Sequence, residues 1–181
     1  MSKKKNNMNS LVMLASLAML TALEVILSRL VPVVSSQQIK VSFAFVPVAI
    51  AAYLYGIKGG ALVAGISDVI GALMFPVGEF FPGFSLTAIL EGVCFGIFLG
   101  KLFDGKTNDF VRSVIPVTII QVFLSLGLNT FWISYMYHSP YLGVLAPRIV
   151  QTLVMIAVQS VVIPLFIKAF SKVRAIKMLR I

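Results

Sequence analysis

Six apolar runs dominate this chain, at residues 10–30, 41–55, 61–75, 85–102, 111–137 and 144–170. Runs of about 20 apolar residues are long enough to cross the hydrocarbon core of a bilayer. No water is available there to satisfy backbone N–H and C=O groups, so each run must be helical. The runs at 41–55 and 61–75 are short, and "YGIKGG" at 55–60 predicts a tight turn between them. Charged residues make up only 12% of the chain, against about 25% in a soluble domain. The expected fold is an all-α integral membrane protein: a six-transmembrane-helix bundle forming one membrane domain over 1–181. Residues 1–9 are a basic N-terminus and 171–181 a basic tail.

The formal net charge of +9 raises the possibility of a nucleic-acid partner, but its placement argues for membrane topology instead. Twelve of the fifteen basic residues fall on one side of the spans: Lys3, Lys4, Lys5, Lys58, Lys101, Lys106, Arg112, Lys168, Lys172, Arg174, Lys177 and Arg180. Basic residues concentrate in cytoplasmic loops, so both termini are expected in the cytoplasm. The start of the chain imitates a secretory signal. It is expected to remain as the first span, because the apolar run continues past Thr21 to Val34.

That orientation leaves Arg29, Lys40 and Arg148 as the basic residues on the outer side, each beside a span end. Any one alone reads equally as a side chain snorkelling to headgroups. Together they would meet an anionic ligand arriving from outside. Carboxylates inside spans are costly and mark functional sites by default. Glu24, Asp68 and Glu91 are such residues. Glu24 also reads as a structural partner of Arg29. Asp68 shares a helical face with Gly71, Ala72 and Phe75, and Glu91 with Phe84, Thr87 and Ala88. Both acids lie seven residues from the outer ends of their helices, at similar expected depth. Asn129 and Trp132 share a face of the fifth span, and Arg148, Gln151, Thr152, Met155 and Gln159 one of the sixth. Interhelical hydrogen bonding is the alternative role for the polar residues, and a place in the interfacial belt for Trp132.

The segment "FPVGEFFPGFSLTA", residues 75–88, would cover such a pocket. Pro76 and Pro82 stop the flanking helices, and Gly78 and Gly83 permit positive φ. Phe75, Phe80, Phe81 and Phe84 supply rings that stack on a flat ligand or dip into the interface. On the first span Ala15, Ala18 and Ala22 form a small-residue stripe that lets another helix approach, within the bundle or from another subunit.

Nothing supports an enzyme. Cys94 alone permits no internal disulfide or cysteine metal site. His138 is the sole histidine, and no nucleophile elbow or P-loop occurs. No cofactor is expected. A chain without a nucleotide site is a facilitator, a channel, a structural membrane protein, or one subunit of a larger machine.

The alanine motif Ala18-x-x-x-Ala22, the six short spans and the outer loop between spans three and four resemble the S components of energy-coupling-factor (ECF) vitamin transporters. "ALEVILSRL", "SDVIGALMFPVG-x-FFPGFSLTA" and "LNTFWISYMY" are similar to the folate-specific members. The resemblance implies a bacterial cytoplasmic-membrane protein that captures folate from outside. Its partners would be a transmembrane coupling subunit and two cytoplasmic ATPases, whose ATP hydrolysis drives release inward. Under this reading Asp68 or Glu91 accepts the pterin N–H groups, and Phe81, Phe84 and Trp132 meet the aminobenzoyl ring. Arg29, Lys40 and Arg148 meet the glutamate tail. Phe75, Thr87, Asn129 and Gln151 complete the expected site, and Ala15, Ala18 and Ala22 the partner surface. An S component for another small anionic or aromatic vitamin is the nearest alternative.

Overall fold

The computed structural model describes residues 2–31, 34–35, 40–76, 78–100 and 108–172, with side chains at 10–31, 41–76, 78–100, 108 and 110–169. Helix α1 (Ser2–Val25) runs into a π-helical turn, Ile26–Leu30. Strands β1 (Val34–Ser35) and β2 (Lys40–Val41) pair antiparallel, with Val34 opposite Val41 and Ser35 opposite Lys40. This short ladder is the one departure from the expected all-α fold among the described residues. Helices α2 (Phe45–Met74) and α3 (Pro82–Leu99) follow. Helix α4 (Asp109–Ile119) continues through a π-helical stretch, Ile120–Asn129, into α5 (Thr130–Tyr137), and α6 spans Tyr141–Lys172.

Among the described residues, five helical stretches are long and apolar enough to cross a membrane: Ser10–Leu30, Phe45–Met74, Pro82–Leu99, Phe110–Tyr137 and Tyr141–Ala169. The expected second and third spans both lie within α2, one on each side of Gly56. The turn expected at 55–60 contracts to Gly56 alone, at φ 63 and ψ −152, with helix on both sides. A glycine takes that conformation with no Cβ penalty.

Helices α2 and α3 pack antiparallel, with 68 level with 85, 65 with 89, 60 with 92 and 57 with 96. Towards the Gly56 end the two backbones touch. A Cβ on Gly60 would overlap the carbonyl of Gly92, one on Gly92 the carbonyl of Gly60, and one on Gly96 the Cα of Ile57. Small residues of this kind allow close helix approach where lipid supplies no hydrophobic drive for association. Ala51, Ala52, Val63, Phe95 and Leu99 are buried around this seam.

Arg112, read from sequence as a cytoplasmic-side charge, is buried at the start of α4. Its Nε donates to the Phe98 carbonyl at 2.8 Å, and its Nη2 to the carbonyls of Leu99 and of Gly100, the latter at 2.5 Å. The last carbonyls of a helix have no partner within it, and here a cation from the next helix supplies one.

In the fourth stretch Pro116 lies inside α4 and the helix widens to π geometry four residues later. A proline removes one donor from the helical ladder, and π segments recur at functional sites.

Candidate ligand-binding site

The two sides of the bundle are unlike. Large apolar side chains such as Leu14, Met19, Leu73, Leu142 and Leu165 stand exposed, whereas the interior holds a cavity of about 320 Å³. Its volume lies within the range of about 300–1,000 Å³ typical of small-molecule sites. Helices α1, α2, α3, α5 and α6 and both π-helical segments contribute to it. Aromatic walls come from Phe45, Phe80, Phe81, Phe84 and Phe95, and polar groups from Gln121, Ser125, Asn129, Gln151 and Gln159.

Charges are mixed. Glu24, Asp68, Glu79 and Glu91 line the cavity together with Arg29 and Arg148. At the loop end, Arg29 Nη2 meets Asp68 Oδ1 at 3.4 Å, and Ser85 Oγ donates to Asp68 Oδ2 at 2.7 Å. Both oxygens of Asp68 are therefore engaged. Arg29, for which the nearby Glu24 was one possible structural partner, reaches a residue 39 positions away in sequence. Glu91 stands six residues beyond Ser85 along α3, about 9 Å deeper at 1.5 Å per residue. The similar depth expected for the two acids does not hold, because the antiparallel register sets Asp68 level with Ser85.

Arg148 was expected near the mouth. It lies inside α6, 6% exposed, with Nη2 donating to the Ser125 carbonyl at 2.8 Å. Glu91 lines the same cavity. Gln121 Oε1, Asn129 Oδ1 and Gln159 Oε1 are buried without a hydrogen-bond partner among the described residues. Such groups are costly to leave unsatisfied, so the deep part of the cavity suits a ligand rich in polar hydrogens.

Of the expected site residues, Arg29, Asp68, Phe81, Phe84, Glu91, Asn129, Arg148 and Gln151 line this one cavity. Phe75, Thr87 and Trp132 are not part of its lining. The side chain of Lys40 lies outside the described residues. Trp132 sits behind Phe81, ring centroids 5.4 Å apart, and its Nε1 donates to Thr87 Oγ1 at 3.2 Å. Gly78 and Gly83 do not adopt positive φ, which among the described glycines belongs to Gly56. A Cβ on Gly83 would overlap the ring of Phe81 and stand 2.8 Å from Trp132 Cδ2, so Gly83 makes room for both rings. Pro82 begins α3 instead of ending a helix, where its missing N–H costs nothing.

Sequence reasoning missed Gln121 and Ser125. Their signal was present: Gln121, Ser125 and Asn129 recur every four residues through the π-helical stretch. Glu79 and Phe80 also face the cavity from the loop. On α1, Ala15, Ala18 and Ala22 are all exposed, so the bundle does not cover the stripe.

Residues 12–167 match the family model described as ECF transporter, substrate-specific component. A curated "Folate transporter FolT" of Leuconostoc mesenteroides is 34% identical over 148 residues, covering 79% of this chain and 77% of that protein. Another, from Clostridium novyi, is 30% identical over 147 residues, covering 81% and 83%. A crystal structure of FolT bound with folic acid superposes with a TM-score of 0.74 at 27% identity, covering 82% of this chain and 89% of that one. The biotin S component of an ECF-type ABC transporter shares the fold, with a TM-score of 0.75 at 17% identity over 97% and 98%. The chain belongs to the substrate-specific components of ECF transporters and is a multi-pass membrane protein.

Proposed function

We propose that this chain is the folate-binding S component of an ECF transporter, capturing folate from outside the cell for uptake driven by partner subunits. The observation that carries the proposal is the mixed chemistry of one cavity: aromatic walls, two guanidiniums, and buried amide oxygens without partners. Folate has a flat pterin bearing N–H donors, an aminobenzoyl ring and an acidic tail, and each finds a complement. The likeness to two curated folate transporters and to a folic-acid-bound structure supports the same reading.

The pterin enters deepest. Glu91 accepts its N–H donors in a charge-assisted pair, Arg148 donates to its oxygen, and Gln121, Asn129, Gln151 and Gln159 satisfy the rest. Asp68 is not given this role, because Arg29 and Ser85 already hold both its oxygens. Phe81 and Phe84 pack on the aminobenzoyl ring. The tail carboxylates lie at the loop end near Arg29, with Lys40 as a second cation. The chain crosses the bacterial cytoplasmic membrane six times, with Gly56 as the break between the second and third spans and both termini cytoplasmic. It forms one membrane domain over 1–181. Ala15, Ala18 and Ala22 form the surface for a coupling subunit that works with two cytoplasmic ATPases. This chain itself does no chemistry.

Mass spectrometry of small molecules extracted from the detergent-purified chain tests the ligand. Bound folate, or saturable one-to-one binding of added folic acid, is expected. A different bound vitamin, or no binding of folic acid, overturns the assignment. The partner surface is tested separately with Ala18→Trp: folate binding should persist in the isolated chain while uptake with the complete transporter is lost. Loss of both, or of neither, removes the stripe from the interface.

A further inference from the structure

Arg29 and Asp68 form an ion pair, and a missing side chain makes room for it. Gly71 is buried one helical turn beyond Asp68 on α2. A Cβ built there would stand 2.7 Å from Arg29 Nε, 3.2 Å from its Cγ and 3.4 Å from its Cζ. The first distance is well inside normal van der Waals separation, about 3.5–4.0 Å between carbon atoms. The guanidinium therefore lies against bare helix backbone. Gly71 differs in this from Gly60 and Gly92, whose nearest neighbours are backbone atoms of the facing helix. At Gly71 all three near atoms belong to one flexible side chain, so an added methyl would move Arg29 and not the helix. Gly71 is also absent from the cavity lining, although Arg29, Asp68 and Ala72 all contribute to it.

We infer that Gly71 is a positioning residue: its missing side chain fixes where the Arg29 charge stands at the cavity wall, and so how strongly the site holds the carboxylates of its ligand. For the identity of that ligand the inference rests on the folate reading; the geometry of Gly71, Arg29 and Asp68 does not. The 3.4 Å contact to Asp68 is already long for a charge-assisted pair, about 2.7–2.9 Å. A shift of a few tenths of an ångström breaks it.

Gly71→Ala tests this, with Arg29→Ala as the second background. Without ligand, alanine is the better helix former. In the Arg29→Ala background Gly71→Ala should therefore raise the melting temperature by about 2–4 °C, the expectation for a gain near 1 kcal/mol in a chain of this size. With Arg29 present, the displaced ion pair should cancel most of that gain. Equal shifts in the two backgrounds overturn the inference whether or not folate is the ligand.

With ligand, Gly71→Ala should weaken folic acid about tenfold, which is about 1.4 kcal/mol. A pterin lacking the glutamate should bind within about twofold of the parent, and the folic acid loss should vanish in the Arg29→Ala background. Equal weakening of both ligands, or an undiminished loss without Arg29, overturns the positioning role and places Gly71 against the ligand itself. A parent protein that binds neither compound removes the folate reading and leaves the ligand-free comparison to decide on Gly71.

Discussion

The two ends of the α2–α3 pair are built on opposite principles. At the Gly56 end, Gly60, Gly92 and Gly96 bring backbone against backbone, and Arg112 occupies the last carbonyls of α3. At the loop end the same two helices are bridged by Ser85 to Asp68, Arg29 of the π-helical turn after α1 reaches the same carboxylate, and a cavity lies beside them. Close packing makes an interior rigid, because no atom can move without displacing another. Unpartnered amide oxygens do the reverse: they destabilise the empty state and favour whatever fills it. One half of the molecule is thus complete as it stands, and the other is complete only with ligand. A single helix pair serves both ends because glycine and alanine give way to charged, serine and aromatic residues along its length.

The largest expected effect attacks the finished end. Gly92→Val would drive a branched side chain into the backbone of α2 at Gly60. Overpacking a tight core costs about 1–3 kcal/mol when side chains can adjust, and a backbone wall cannot. The expected result is no monodisperse protein in detergent by size-exclusion chromatography. A well-folded Gly92→Val would mean that the two helices are free to separate, and would dissolve the contrast between the ends.

Next come the two arginines of the unfinished end. Arg148 is buried and lines the same cavity as Glu91. Truncating one partner of a desolvated pair costs about 2–5 kcal/mol in binding. Arg148→Ala should weaken folic acid and a pterin without glutamate alike. Arg29→Ala should weaken folic acid selectively. Isothermal titration of both ligands against both variants decides; the reverse pattern would invert the proposed orientation of the ligand.

Arg112→Met returns to the finished end with a smaller effect. It removes the Arg112 donors from the carbonyls of Phe98, Leu99 and Gly100 at the end of α3. Losing hydrogen bonds to a charged group costs about 1.5–3 kcal/mol. Thermal unfolding should therefore move downward, while ligand affinity measured well below the transition stays unchanged. A loss of affinity would mean that the two ends are mechanically coupled.

Much of the finished end was invisible in sequence, and for a physical reason. Gly60, Gly92 and Gly96 sit in apolar runs where small residues read as ordinary span composition, and only the facing helix turns them into a seam. Arg112 read only as a cytoplasmic-side charge because sequence counts charge without showing what it touches. The unfinished end was more legible, since charges and aromatic rings are rare in spans and stand out. Asp68, Glu91, Arg148 and Phe81, which all line the cavity, stood out that way. Their pairings were not. Arg29 had a nearby acid in Glu24 but reached Asp68 instead, because a bare helix face at Gly71 lay in its path. The similar depth of Asp68 and Glu91 failed because helix position alone does not set the register of two antiparallel neighbours.

The smallest effect concerns the tryptophan, and it tests where the boundary of the unfinished end lies. Trp132 was expected to touch ligand. The structure puts Phe81 between it and the cavity, 5.4 Å from its ring, and gives its Nε1–H to Thr87. Thr87 in turn donates to the Gly83 carbonyl at 2.9 Å, so indole, hydroxyl and the start of α3 form one unit. Ligand binding should then change Trp132 emission modestly and saturably, through Phe81, without the strong quenching of direct stacking. Thr87→Val removes the acceptor while keeping shape, at a cost of about 1 kcal/mol in stability. It should shift the emission of the empty protein and leave folic acid affinity within about twofold, less than 1.4 kcal/mol. A tenfold loss of affinity in Thr87→Val would extend the binding surface to the indole and its partner; unchanged emission in Phe81→Leu on adding ligand would support Phe81 as the relay.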